Sequence, residues 1–170
     1  MAMMLAVVAD MFLILRNDLV TGIAIFALMQ TVLIKRHMRC GALIAYSRPP
    51  LLKAVIVGLG VVAVGNGFLW ASLSAKGLAV PVLIYSMLLV ASTIAAYGSA
   101  TTGMLSASAS RHAFWGMVLF MLCDITVGIG AAFGQSVEGQ FVRSLTGLFY
   151  TPSLLLLVYS GIPENAKQYA

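Results

Sequence analysis

Long apolar runs broken by short polar clusters set the pattern of this chain. Residues 18–34, 51–73, 78–102, 113–133 and 142–161 each approach or exceed the roughly 20 apolar residues that cross a bilayer as a helix. Residues 1–15 (MAMMLAVVADMFLIL) form a sixth, shorter run. At ~1.5 Å per residue it covers about 22 Å of a ~30 Å hydrocarbon core. The breaks are chemically distinct. "RND" (16–18) is a tight polar turn, and residues 35–53 form a basic loop marked by Pro49 and Pro50. "SAKG" (74–77) precedes Pro81, which suits the start of a helix because its missing N–H costs little there. "SASASRH" (106–112) and "GQSVEGQ" (134–140) read as Ser/Gly-rich connections. The pattern predicts one domain over 1–170, an all-α transmembrane bundle of about six spans.

Composition agrees. Of 170 residues, 61% are hydrophobic and 9% charged, against about 25% charged in soluble domains. Mean hydropathy is +1.02. The net charge of +5 is therefore read as membrane orientation, not as a nucleic-acid footprint. Lys35, Arg36, Arg39, Arg48, Lys53, Arg111 and Lys167 fall on one side, and Arg16, Lys76 and Arg143 on the other. That asymmetry places loop 35–53 and both termini in the cytoplasm, in a bacterial-type inner membrane. Anionic lipid gripped by the same loop gives the same side. Two cysteines, Cys40 and Cys123, are too few for a disulfide framework, and Cys123 reads as a small packing residue.

Asp18, Glu138 and Glu164 lie at helix ends or in loops, whereas Asp10 ("VVADMFLIL") and Asp124 ("LFMLCDITV") interrupt apolar runs. A charge at mid-membrane costs at least ~2.5–3.5 kcal/mol on insertion scales. No Lys or Arg lies inside a run to pair with either. One account makes each a hydrogen-bonding tie between helices. The other sets both in one cavity, where neighbouring carboxyls divide into an acid and a base. Gln30, Asn66, Tyr85, Tyr150 and Ser153 are the polar residues placed to join them, with Gly65 and Gly67 around Asn66 allowing another backbone to approach. Each also reads as an ordinary interhelical hydrogen bond. Tyr46, Trp70, Trp115 and Tyr159 sit near run ends as an interfacial belt.

Other chemistries drop out. His37 and His112 read as loop residues without the spacing of zinc ligands, so no metal is expected. The late runs hold no lysine for a retinal Schiff base, and neither a nucleophile elbow nor a phosphate-binding glycine loop is present. No cofactor is called for.

Four segments carry a resemblance. "ADMFLIL" followed by "GIAIF" resembles the Gly-Asp-x-x-Leu and Gly-x-x-x-Phe pattern of the lysoplasmalogenase (YhhN-like) membrane proteins. "VPVLIYSMLLVAS" is similar to their Pro-Val-x-x-Tyr segment. "GMVLFMLCDITVGI" is similar to their Gly-x-x-x-Phe-x-x-Ser-Asp helix, and "LFYTPSLLLLVYSG" to their closing Tyr-x-x-Gln-x-Leu-Ile helix. Order and spacing agree over nearly the whole chain. The resemblance implies about eight spans, hence two N-terminal helices absent here. It implies cleavage of the vinyl-ether bond of lysoplasmalogens, a lysophospholipid substrate drawn from membrane lipid, and roles for Asp10, Asp124 and Tyr85. The family commonly has a His where this chain has Gln30, and its late Gln corresponds to Ser153, beside Pro152. Two readings compete with a hydrolase: a proton- or ion-coupled carrier, and a lipid-binding bundle without turnover.

Overall fold

The computed structural model describes residues 1–16, 18–42, 49–102, 105–134 and 136–162. Tyr46, Arg48, Glu164 and Lys167, singled out above, lie outside them. Helix α1 spans Ala2–Asp10 and runs on as a π-helical turn, Met11–Leu15. Helix α2 spans Leu19–His37 and also ends in a π-helical turn, Met38–Ala42. Then come α3 (Pro49–Ala75), α4 (Ala79–Thr101), α5 (Ala107–Phe133) and α6 (Val137–Tyr159). Among the described residues, five helices are long and apolar enough to cross a membrane, and α1 is a shorter apolar one. The chain is a multi-pass integral membrane bundle.

The helices outrun the apolar runs at several ends, because hydropathy marks where lipid is and not where hydrogen bonding stops. Side chains in the polar breaks start the next helix by accepting a bond from an otherwise unpaired N–H. Ser106 accepts from Ala109 N and Ser136 from Gly139 N, so Arg111, His112 and Glu138 are helical and not in connections. Asp18 caps α2 by accepting from the Thr21 hydroxyl and N–H, which hold its carboxyl below the usual carboxylate range. Residues 35–42, assigned above to the basic loop, continue α2, and α3 begins at Pro49. The turns after α3 and α5 close at Gly77 (φ 68°) and Gly134 (φ 62°), conformations that glycine adopts without a Cβ penalty.

Helix α4 packs against α2, α3 and α5; α1 packs on α2, and α5 pairs intimately with α6. Gly116 makes that last pairing possible. A Cβ there would stand 3.1 Å from the Leu157 backbone nitrogen and 2.9 Å from its Cγ. The core joins Ala6 and Ala9 of α1 to Phe26, Met29, Leu33, Leu89, Met117, Phe120 and Leu157. Helix α3 is peripheral, with Leu52, Ile56, Val57, Val64 and Phe68 exposed on an outer face that suits hydrocarbon. Trp70, Trp115 and Tyr159 are exposed as well. Arg36 donates to the Ser160 carbonyl (2.6 Å), tying the ends of α2 and α6 together.

Gly116→Val should therefore wedge α5 from α6 and lower stability by about 1–3 kcal/mol, the usual cost of overpacking. Gly60→Ala, which meets open space, should be neutral. Thermal unfolding of the two purified variants in one detergent checks this.

Candidate functional site

Asp10 is the last residue of α1, at the point where the backbone widens into the π turn. Such turns expose backbone groups and recur at functional positions. The Asp10 carboxylate oxygen accepts a 2.5 Å bond from the Tyr150 hydroxyl, joining α1 to α6. Asp124, on α5, accepts a 2.5 Å bond from the Tyr85 hydroxyl of α4. These two tyrosine–carboxyl pairs are built the same way and open on the same space. Asp10, Asp124, Tyr85 and Tyr150 all line one cavity of about 300 Å³, whose remaining wall is mainly Leu, Ile, Val and Phe side chains.

Aromatic rings hold the phenols in place. Tyr85 packs on Phe26 (centroids 6.5 Å apart), Phe26 on Phe120 edge-to-face (5.8 Å), and Phe120 on Tyr150 (6.0 Å). This row connects one carboxyl partner to the other across the bundle and fixes both rings against the core. On α6, Pro152 lacks the N–H that would bond back to the Leu148 carbonyl, and the Ser153 hydroxyl donates to the Tyr150 carbonyl (2.6 Å).

The other expected residues divide. Gln30 is fully buried on α2 and does not line the cavity. Its amide lies near the Tyr85 hydroxyl, and both its polar atoms are buried without a hydrogen-bond partner among the described residues. Asn66 lines a second cavity of about 250 Å³, donates to the Val62 carbonyl (3.0 Å), and keeps a buried, unpaired Oδ1. A Cβ at its flanking Gly65 or Gly67 would meet nothing within 4 Å, so among the described residues no backbone packs against that side of either glycine. The close approach is at Gly58, where a Cβ would stand 2.5 Å from Val90 Cγ1. Ser153 is buried beside Tyr150 and lines neither cavity.

Val82, Tyr85, Asp124 and Gly128 line both cavities, so the two meet at the Tyr85–Asp124 pair. A third cavity of about 270 Å³ continues along α3 and shares Val61, Val90 and Met121 with the second.

Four residues escaped sequence reasoning. Cys123 lines the carboxyl cavity instead of serving only as packing. Thr146 lines it too, bonded to Thr126 at 3.0 Å. His37 is a fully buried helix residue facing Ser99 (Nδ1 to Oγ, 3.2 Å), and His112 also stands on a helix, beside Ser108. The signal for His37 was its spacing. Phe26, Gln30, Leu33 and His37 repeat every three or four residues, all on the buried face of α2.

The two pairs should behave as coupled units. In double-mutant cycles on thermal stability, Tyr85→Phe with Asp124→Ala, and Tyr150→Phe with Asp10→Ala, should each show an interaction energy of about 0.5–3 kcal/mol. Additive losses would mean that the hydrogen bonds do not form in the membrane protein.

No curated protein and no solved structure matches the chain. The YhhN family matches residues 1–160, a stretch that takes in the six described helices and both tyrosine–carboxyl pairs. By that match the chain belongs to the YhhN family.

Proposed function

We propose that the protein is a lipid hydrolase that cleaves the vinyl-ether bond of lysoplasmalogens, with Asp124 as acid and Asp10 as base. The observation that carries this reading is the pair of carboxyls, each held by a tyrosine, facing one apolar cavity. Family membership is consistent with it. Vinyl-ether cleavage has one hard step, protonation of carbon, and this arrangement supplies a proton donor where water is scarce.

The steps balance. The Asp124 carboxyl gives its proton to the vinyl carbon remote from oxygen, leaving an oxocarbenium ion that the Asp10 carboxylate stabilises. Water adds at the carbon next to oxygen while Asp10 takes its proton, which gives a hemiacetal. Asp124, now a carboxylate, removes the hemiacetal hydroxyl proton, and Asp10 returns its proton to the departing glycerol oxygen. Aldehyde and alcohol leave, and both carboxyls are back in their starting forms. Tyr85 and Tyr150 position the two groups, and the free Oδ1 of Asn66 is an acceptor for a substrate hydroxyl. Residues 35–53 face the cytoplasm in this reading, by the Lys/Arg asymmetry.

Asp124→Asn keeps the shape and removes the acid. Aldehyde release from lysoplasmalogen should fall by about 10²–10⁴, the usual worth of a positioned acid, with thermal stability retained. Wild-type turnover in the Asn variant would return Asp124 to helix packing. Proton-gradient-driven uptake into liposomes, without aldehyde release by the wild type, would favour a carrier instead.

A further inference from the structure

We infer that the molecule takes a single-chain glycerophospholipid in one orientation, with its phosphate at Lys76 and Arg143 and its hydrocarbon tail in the groove between α3 and the α4–α5 pair. This rests on the reading that the Asp10–Asp124 cavity is the reaction site, and it assigns the two ends of the substrate around that site.

The head-group end follows from charge. Lys76 reaches over the last turn of α5 and donates to the Ala131 carbonyl (2.6 Å), and Ala131 itself lines the carboxyl cavity. The stem of Arg143 lies on Gly130, where a Cβ would stand 2.7 Å from Arg143 Cγ, and its guanidinium donates to the Gly134 carbonyl. Both side chains are exposed, and each bonds one backbone carbonyl, so an ammonium and a guanidinium keep further N–H donors for an anion. Two acids share this end of the bundle. Asp18 is occupied in capping α2, and Glu138 lies in the first turn of α6. Ala131 stands seven residues from Asp124 on α5, about 10 Å along the axis. That gap suits a glycerol phosphate hung between the cationic rim and a bond positioned at the carboxyls.

The tail end follows from continuity. The second and third cavities extend from the Tyr85–Asp124 pair, where the second meets the carboxyl cavity, toward Pro50 at the far end of α3. Val, Ile, Leu, Met and Phe dominate their walls, with Asn66 and Ser86 near the carboxyl end and Thr93 and Tyr97 farther along. From Tyr85 to Tyr97 on α4 the groove runs twelve residues, about 18 Å along the axis. A lipid tail in one leaflet occupies about half of a ~30 Å core, so the groove has the length of one tail. Gly58, seated against Val90, brings α3 close enough to cover it.

Saturated ether analogues test the assignment without turnover. The probes are the hexadecyl and octyl ethers of glycerophosphocholine, and the hexadecyl ether of glycerol, titrated calorimetrically into the full chain in nanodiscs. The Lys76→Ala/Arg143→Gln variant should bind hexadecyl glycerophosphocholine about tenfold or more weakly, the worth of charge-assisted bonds, and bind hexadecyl glycerol unchanged. Unchanged glycerol-ether binding also shows that the variant is folded. Ala54→Phe, which plugs the far end of the groove, should cost the hexadecyl phospholipid about tenfold and spare the octyl one. Equal weakening of phosphorylated and unphosphorylated ligands, or no weakening of either, would overturn the phosphate site. Equal effects of Ala54→Phe on both tail lengths would overturn the tail groove. The expected binding pattern without aldehyde release from the true vinyl ether would support the two subsites and sink the hydrolase reading instead.

Discussion

Two tyrosine hydroxyls donating to two carboxyls inside an apolar bundle are the interaction on which the rest depends. The apolar runs that carry Asp10 and Asp124 hold no Lys or Arg to pair with either. Without the Tyr150 and Tyr85 bonds, each would be a polar group in hydrocarbon with nothing to satisfy it, a cost of several kcal/mol. The tyrosines remove that cost without neutralising the carboxyls as a lysine or arginine would, so acid chemistry stays open. Five helices contribute: α1 and α6 hold one pair, α4 and α5 the other, and Phe26 of α2 joins the aromatic row that runs between them.

The packing explains why the cavities lie where they do. Helix α4 is enclosed by α2, α3 and α5, while α3 is held only on its inner face. Space therefore collects between α3 and its neighbours, from Pro50 down to the carboxyls. The other end of the bundle meets the turns after α3 and α5, where Lys76 and Arg143 bond to the carbonyls that end α5. An apolar groove at one end and cations at the other give the site a polarity that matches a lipid with one charged end.

What the sequence made legible follows from cost. Membrane spans stand out because hydrocarbon tolerates few alternatives, and Asp10 and Asp124 stand out because a bare carboxyl in an apolar run is expensive. Whatever depends on which helix faces which did not stand out. That Tyr150 would pair with Asp10, 140 residues away, and Tyr85 with Asp124 is a matter of packing and not of spacing. Asn66 was drawn into a predicted close approach by its glycines, but α3 meets its neighbour one helical stretch earlier, at Gly58. His37 was hidden by its neighbours. The basic cluster around it has the composition of a loop, yet the helix and its buried face run through it. Thr146 and Cys123 lie in ordinary apolar surroundings, and only the cavity wall distinguishes them.

The central claim is that a carboxyl proton is delivered to carbon inside this cavity, and hydrolysis in heavy water tests it most directly. An exchangeable Asp124 proton becomes deuterium, so the wild-type protein should release from a lysoplasmalogen an aldehyde carrying one deuterium on the carbon next to the carbonyl, detected by mass spectrometry after immediate trapping. An aldehyde released without deuterium at that carbon, or no aldehyde at all from the wild-type chain, would contradict the account.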